Sequence, residues 1–206
     1  MPDSSNIVYL NGSYLPVEEA TISVMDRGFL FGDGVYEVIP VFGKNMLRLD
    51  AHMHRLQNSL NRISLTTPCQ DSEWRHIFDE LLDKNPGKDR AIYLQISRGV
   101  YARRDLGTDD ADTAVHSPTV FAMVLHVKPP NIDVGSAGIS AITVEDFRWD
   151  ACDIKSTSLV ANVILRHQAS EANVDDAILI KNAVVTEGTA SNVFIVKNDV
   201  IITPPT

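Results

Sequence analysis

Cysteine is scarce in this chain of 206 residues, and the two that occur, Cys69 and Cys152, are far apart with no His or Cys partner at metal-ligand spacing. That argues against a disulfide framework and a zinc module, and it makes a reduced, cytoplasmic protein without a metal the expectation. Positive charge is also in short supply. Eighteen Lys and Arg stand against 27 Asp and Glu, a net charge of −9, and the acids are scattered rather than gathered in one block. A phosphate-backbone partner calls for the opposite balance, so no nucleic acid is expected. Long apolar runs are missing as well. The opening MPDSSNIVYLNG has neither a basic segment nor an apolar stretch of signal length, and no later stretch is long enough for a bilayer, so neither secretion nor membrane insertion is expected. Internal repeats and low-complexity tracts are absent too.

What is present suffices for a real core. A chain of this length buries roughly 70% of its unfolded surface, enough for one large or two small domains. Apolar and β-branched residues at Ile7 to Leu10 and Val35 to Val41 predict strands, with Asn11-Gly12 as a hairpin turn after the first. Met53, Leu56, Leu60 and Ile63 recur at helical spacing behind a cap at Asp50. Trp74, Ile77, Phe78, Leu81 and Leu82 do so behind Asp71 or Ser72. Ala91 to Ser97 and Thr119 to Val127 return to strand character. Between them lies a polar, acidic stretch from Gly99 to Pro118, too long for an ordinary connection and therefore a functional loop or a mobile excursion. Lys128-Pro129-Pro130-Asn131 stiffens the chain and marks a boundary. The expected organisation is an N-terminal α/β domain over 1–127, a linker over 128–134 and a C-terminal domain over 135–206. The last carries strands near Ile139 to Val144, Ala177 to Ile180, Val184 to Glu187, Val193 to Val196 and Val200 to Ile202.

One lysine and one acid stand out in that second half. Lys155 follows Asp153 and precedes Ser156, Thr157 and Ser158, ahead of the amphipathic run Leu159, Val160, Val163, Ile164, which places it at a turn into a helix. A lysine at a helix start is by default a solvated cation. Here it can also project an amine into a cleft that Glu187, on a later strand and followed by Gly188, can face, and that pairing suits Schiff-base chemistry. His52 and His54 are spaced i, i+2 and so diverge on a helix, which makes them surface or packing residues rather than metal ligands.

Four separated blocks carry a resemblance over nearly the whole chain: DRGFLFGDGVYEV (Asp26 to Val38), AHMHRL (Ala51 to Leu56), CDIKSTSLVANVILRHQASEA (Cys152 to Ala172) and VVTEGTASNVFIV (Val184 to Val196). In their order and spacing the chain resembles the fold type IV class of pyridoxal-phosphate enzymes, and within it the D-amino-acid aminotransferases. The resemblance implies an α/β (α+β) architecture of two domains with the cofactor, pyridoxal 5′-phosphate, in the cleft between them. It implies that Lys155 holds the cofactor and shuttles a proton, that Glu187 keeps the pyridine nitrogen protonated, and that Arg55 binds the phosphate with its planar guanidinium. Ala190, Ser191 and Asn192, with Thr189, are implied as further cofactor contacts, Ser191 foremost among the donors. Gly188 is implied to let the backbone approach the ligand closely.

Substrate contacts follow from the same likeness. Tyr36 matches the tyrosine on the substrate-carboxylate side, with Gly32 and Gly34 permitting the backbone path that leads to it. In the loop Arg98 to Asp105, Arg103 matches an arginine that reaches across from a neighbouring subunit to the α-carboxylate. That implies a homodimer. Asp105 stands where relatives carry a histidine, and Arg104 beside it can neutralise the acid. The implied reaction is transamination from a D-amino acid such as D-alanine to a 2-oxo acid such as 2-oxoglutarate. The chain ends where family members enter a segment that supplies more backbone amides to the phosphate, so the C-terminal domain is expected to be shortened. Two other readings remain open: a lyase resembling 4-amino-4-deoxychorismate lyase, and a catalytically dead dimerising module.

Overall fold

A computed structural model describes residues 6–107, 117–127 and 138–205. The chain falls into two compact units, one formed by Met1–Pro129 with Ile154–Ser158, the other by Pro130–Asp153 with Leu159–Thr206. The linker expected over 128–134 lies outside the described residues. Ile154–Ser158, expected in the second domain, belongs to the first unit.

The first unit is built on an antiparallel sheet. Strands β1 (Ile7–Leu10) and β2 (Ser13–Pro16) are joined by Asn11 and Gly12, both at positive φ, as an Asn-Gly hairpin requires. A short helix α1 (Arg27–Phe31) is capped by the Asp26 carboxylate, which accepts from Gly28 N, and ends at Gly32 in the left-handed region. Then come β3 (Gly34–Phe42), β4 (Asn45–Met46), helices α2 (Leu49–Arg62) and α3 (Asp71–Lys84), and strands β5 (Asp89–Ser97) and β6 (Thr119–His126). The sheet order is β2-β1-β6-β5-β3-β4. Opposed residues share a face: Val35 and Ile39 of β3 meet Ile96 and Ile92 of β5, which meet Val120 and Val124 of β6. Leu56 and Leu60 of α2 and Trp74, Ile77, Phe78 and Leu81 of α3 complete this core from positions three and four apart.

Both helices start differently from expectation. Helix α2 begins at Leu49 after Arg48, so Asp50 lies in the first turn, where it favours the helix dipole without capping it. In α3 the N-cap is Gln70, whose backbone N–H donates to the Glu73 carboxylate at 2.6 Å, and Asp71 is the first helical residue.

The second unit contains β7 (Ala141–Glu145), α4 (Val160–Glu171), β8 (Asp176–Lys181), β9 (Val184–Gly188) and the hairpin β10 (Ile195–Lys197) with β11 (Val200–Ile202). β7 pairs with β8 in parallel, and β9 joins β8 in antiparallel fashion. Leu165 and Ala169, one turn apart on α4, bury against Ala177 and Leu179 of β8. The amphipathic run Leu159, Val160, Val163 and Ile164 is exposed, and the face that meets β8 is set by the 165/169 pair.

Packing in the first core is tight enough to be felt at single residues. Phe78→Ala, at a fully buried position, should lower the unfolding free energy by roughly 3–5 kcal/mol, whereas Phe42→Ala, 56% exposed, should change it by less than about 1 kcal/mol, both read from urea denaturation.

Candidate active site

Alternation along β3 drives the arrangement in the first unit. If Val35 and Ile39 face the core, so must Glu37, and its carboxylate is 0% exposed. A buried charge persists only with partners. Arg55 of α2 supplies two, Nε at 2.6 Å and Nη2 at 2.7 Å, and His52 a third, with Nδ1 2.8 Å from the carboxylate. His52 is thus bound to the core acid, while His54 is exposed. The hydrogen bonds that Arg55 donates to Glu37 raise its pKa above the usual guanidinium range, against the opposing effect of burial. Half of the Arg55 side chain remains exposed, and its Nη1 is not used by Glu37. That edge can donate to an anion.

Lys155 is not at a helix start. It lies on an extended segment against the β3 edge beyond the reach of the two-residue β4: Tyr36 N–H donates to Lys155 O at 2.9 Å, Thr157 N–H donates to Gly34 O at 3.0 Å, and Val35 bridges Ser156. The Lys155 N–H donates to Ser59 Oγ of α2 at 3.2 Å. With Val35 opposite Ser156 in antiparallel pairing, Lys155 falls opposite Tyr36 and shares its face. The amine accordingly sits over the Tyr36 ring, Nζ 4.3 Å from the centroid. Tyr36 is backed by Tyr93 of β5, stacked at 5.8 Å. Among the described residues no carboxylate lies within ion-pair distance of the Lys155 amine. Gly32 matters here too, since its positive φ and the closeness of the Ser158 hydroxyl leave no room for a side chain.

In the second unit Glu187 of β9 accepts from Arg148 Nη1. Arg148 also grips Asp146 with one edge of its guanidinium, Nε at 2.9 Å and Nη2 at 2.8 Å, and Thr186 Oγ1 donates to the same carboxylate at 2.8 Å. The hydrogen bonds from Arg148 hold the Asp146 carboxyl at about 2, and those from Arg148 to Asp146 and Glu187 push the guanidinium above its ordinary range. Thr189 and Ser191 donate their hydroxyls to Asp176, at 2.6 and 3.3 Å, so Ser191, expected foremost among the cofactor donors, is engaged within the unit. Ala190, Ser191 and Asn192 are exposed. Gly188 lacks a side chain for a local reason: its N–H donates to Ser191 O at 2.7 Å, and a Cβ would collide with the Ser191 hydroxyl.

The loop after β5 is anchored at both sides of its basic residues. Arg103 is exposed, and Arg104 places its guanidinium over Phe31 at 5.0 Å rather than on Asp105. The Asp105 carboxylate accepts Gly107 N–H at 3.1 Å, so part of its charge is turned into the loop's own backbone. The remainder of the loop, 108–116, lies outside the described residues.

Among the described residues no group of His, Cys, Asp and Glu is arranged to hold a metal. Both cysteines are free, and burial raises each thiol, so neither is primed as a nucleophile. Within the first unit the Lys155 amine without an acid partner and the open edge of Arg55, and within the second the ion-paired carboxylate of Glu187, are each of a kind that pyridoxal 5′-phosphate requires. Glu37, Asp146 and Arg148 were not singled out from the sequence. Glu37 was detectable as an acid on the apolar phase of a strand; Asp146 and Arg148 lie after a strand in a polar stretch with no comparable signal.

The amino-transferase class IV family is matched over residues 34–206. A D-alanine aminotransferase of Bacillus licheniformis is 38% identical over 198 residues, spanning 96% of this chain and 68% of that protein. One of Staphylococcus aureus strain N315 is 35% identical with the same coverage. Among solved structures, a branched-chain aminotransferase from Thermoproteus uzoniensis with norvaline has a TM-score of 0.79 at 25% identity, covering 97% of this chain and 68% of that one. A hypothetical aminotransferase from Mycobacterium tuberculosis in its PLP-bound form has a TM-score of 0.77 at 24% identity, with 97% and 71% covered, a likeness of fold.

The Asp146 carboxyl, its side chain 3% exposed, gives a pH signature. Its folded pKa lies below its unfolded one, so its stabilising contribution is complete above about pH 5 and disappears as pH falls towards 2. Over that window the wild type should lose about 2 kcal/mol more than Asp146→Asn, measured by urea unfolding at each pH.

Proposed function

This chain belongs to the amino-transferase class IV family, and from that premise we propose that it transfers the amino group of a D-amino acid such as D-alanine to a 2-oxo acid such as 2-oxoglutarate. The observation that carries the substrate class is the identity of 35–38% to D-alanine aminotransferases along 96% of the chain. Pyridoxal 5′-phosphate is the cofactor. When bound, it supplies an aldehyde carbon that takes up the substrate amine and a pyridine ring that accepts the electron pair of the breaking Cα–H bond.

The residues divide the work. Lys155 Nζ would hold the cofactor and would carry the proton taken from the substrate α-carbon to the cofactor's aldehyde carbon. Its support is the main-chain pairing with β3, which fixes the lysine's Cα while the amine stays free of acid partners. Glu187 would hold a proton on the ring nitrogen, and Arg148, donating to that carboxylate, orients it. Arg55 donates to the phosphate through its open Nη1 edge, steadied by Glu37. Ala190, Ser191 and Asn192 bring backbone amides to the cofactor. Tyr36 lines the reacting amine, and Arg103 binds the substrate carboxylate from a neighbouring subunit, which makes the working form a homodimer. An exposed free cysteine, Cys152, fits a cytoplasmic setting. No helix among the described residues is long and apolar enough to cross a membrane.

Two experiments test these roles. Borohydride reduction of the protein loaded with pyridoxal 5′-phosphate, followed by peptide mapping, should place the pyridoxyl group on Lys155; a label on another lysine refutes the assignment. D-Alanine and 2-oxoglutarate should yield pyruvate and glutamate, with Lys155→Ala inactive. A second prediction concerns the loop: Arg103→Ala should raise the KM for D-alanine about tenfold or more, as losing a charge-assisted contact of roughly 1.5–3 kcal/mol would, and Asp105→His should lower it. Steady-state kinetics on both variants decide, and an unchanged KM in Arg103→Ala removes the loop from the substrate site.

A further inference from the structure

Arg27 is the most buried arginine of the described chain, 3% exposed, and the roles proposed above do not use it. Its guanidinium stands between two rings, 5.0 Å from the centroid of Phe31 and 4.8 Å from that of Tyr101. Nε donates to Asp33 at 2.8 Å, and the two Nη atoms reach the carbonyls of three successive loop residues, Asp105 at 2.5 Å, Leu106 at 3.3 Å and Gly107 at 3.4 Å. Asp33 is shared with Arg98, at 2.8 and 3.2 Å, at the start of the same loop. Burial works to raise the Asp33 carboxyl, but the hydrogen bonds from Arg98 and Arg27 outweigh it and hold it below the usual range.

The backbone of Arg27 grips the other side of the loop. Its N–H donates to Gly99 O at 2.9 Å, Asp26 bridges Val100, and Tyr101 N–H reaches Met25 O at 3.4 Å. One residue therefore ties down Gly99 through its main chain and Asp105–Gly107 through its side chain. The stretch between these anchors contains Ala102, Arg103 and Arg104, all exposed. Phe31 lies between the guanidinium of Arg27 and that of Arg104, which sets Arg104 against the ring. A planar fork with several donors can satisfy three carbonyls of a bent backbone at once; an ammonium on a flexible stem cannot. Ordering the loop in the free protein also removes an entropy cost from substrate binding.

We propose that Arg27 is a positioning residue for substrate recognition, clamping Gly99 and Asp105–Gly107 so that Arg103 is presented to the substrate carboxylate in one fixed geometry. This rests on the reading of Arg103 as the carboxylate-binding residue. The chemistry proposed for Lys155 and Glu187 does not depend on it, so loss of the clamp weakens substrate binding and leaves the turnover step in place.

The test uses the protein loaded with pyridoxal 5′-phosphate and the variant Arg27→Lys, which keeps the charge and loses the fork. KM for D-alanine and for 2-oxoglutarate should each rise about tenfold, with kcat within about threefold of wild type. Tryptic cleavage after Arg103 and Arg104, which needs no catalysis, should accelerate several-fold. In the Arg103→Ala background, Arg27→Lys should add less than about twofold to KM. Phe31→Leu, which removes one ring face and keeps every hydrogen bond, should shift both readouts in the same direction by less, and it serves if Arg27→Lys does not fold. Unchanged KM in Arg27→Lys, with Arg103→Ala raising KM, overturns the clamp while the Arg103 reading stands. Unchanged KM in both variants overturns the Arg103 reading and this proposal with it. A fall in kcat at constant KM overturns the proposal as well.

Discussion

Strand β3 can place only one side chain at a time on each of its faces, and most of the first unit follows from that alternation. With Val35, Ile39 and Val41 committed to the core, Glu37 must be buried and Tyr36 must look the other way. The buried acid recruits Arg55 and His52 from α2. On the opposite face Tyr36 meets Lys155, because the chain at Ile154–Ser158 completes the β3 edge in a register that sets these two residues across from one another. One strand therefore determines where both the guanidinium and the amine of the candidate site stand.

Paired buried charges recur through the structure, and each has a positional consequence. Asp33 with Arg27 and Arg98, and Asp146 with Arg148, are largely withdrawn from water, whereas in the pair of Glu37 with Arg55 only the acid is buried and half of the arginine is exposed. Such pairs are weak sources of net stability, since desolvation offsets much of their attraction, but breaking one leaves a charge stranded at a cost of about 3–5 kcal/mol. Their value here is directional. A guanidinium held on one edge by a carboxylate has its other edge aimed, as Arg148 is towards Glu187 and Arg27 towards the loop carbonyls, while Arg55 keeps Nη1 clear of Glu37.

Asp105 shows how local geometry changes the meaning of a substitution. As a charge beside the arginine proposed to bind the substrate carboxylate, it would oppose that binding. In the folded loop its carboxylate accepts the Gly107 N–H, and its carbonyl oxygen is one of those held by Arg27. The acid stabilises the turn at 105–107 that follows Arg103. Its charge still stands near the proposed carboxylate contact, which makes the net effect a matter of degree rather than of sign alone.

The sequence by itself determined the long amphipathic helices, the antiparallel strands of the first unit, the Asn-Gly hairpin and the membership of the family, because each depends on residue types at fixed local spacing: Trp74, Ile77, Phe78 and Leu81 for a helix, alternation along Val35 to Val41 for a strand. The separated blocks around Asp26, Arg55, Lys155 and Glu187 likewise keep their order and spacing in the chain itself. Helix starts were less legible, since Asp50 and Asp71 have the right chemistry for caps, yet the N-caps are Arg48, two residues earlier, and Gln70, one residue earlier. Only the tertiary structure decided that Lys155 lies on an extended segment against β3, that the exposed face of α4 contains Val160 and Val163, and that Ser191 turns to Asp176. The same holds for the partners Glu37, Asp146, Arg148 and Arg27. Main-chain pairing between residues more than a hundred apart, and the compulsion of a buried charge to find its counterion, leave no periodic trace along the chain, so they became visible only once the segments were brought together.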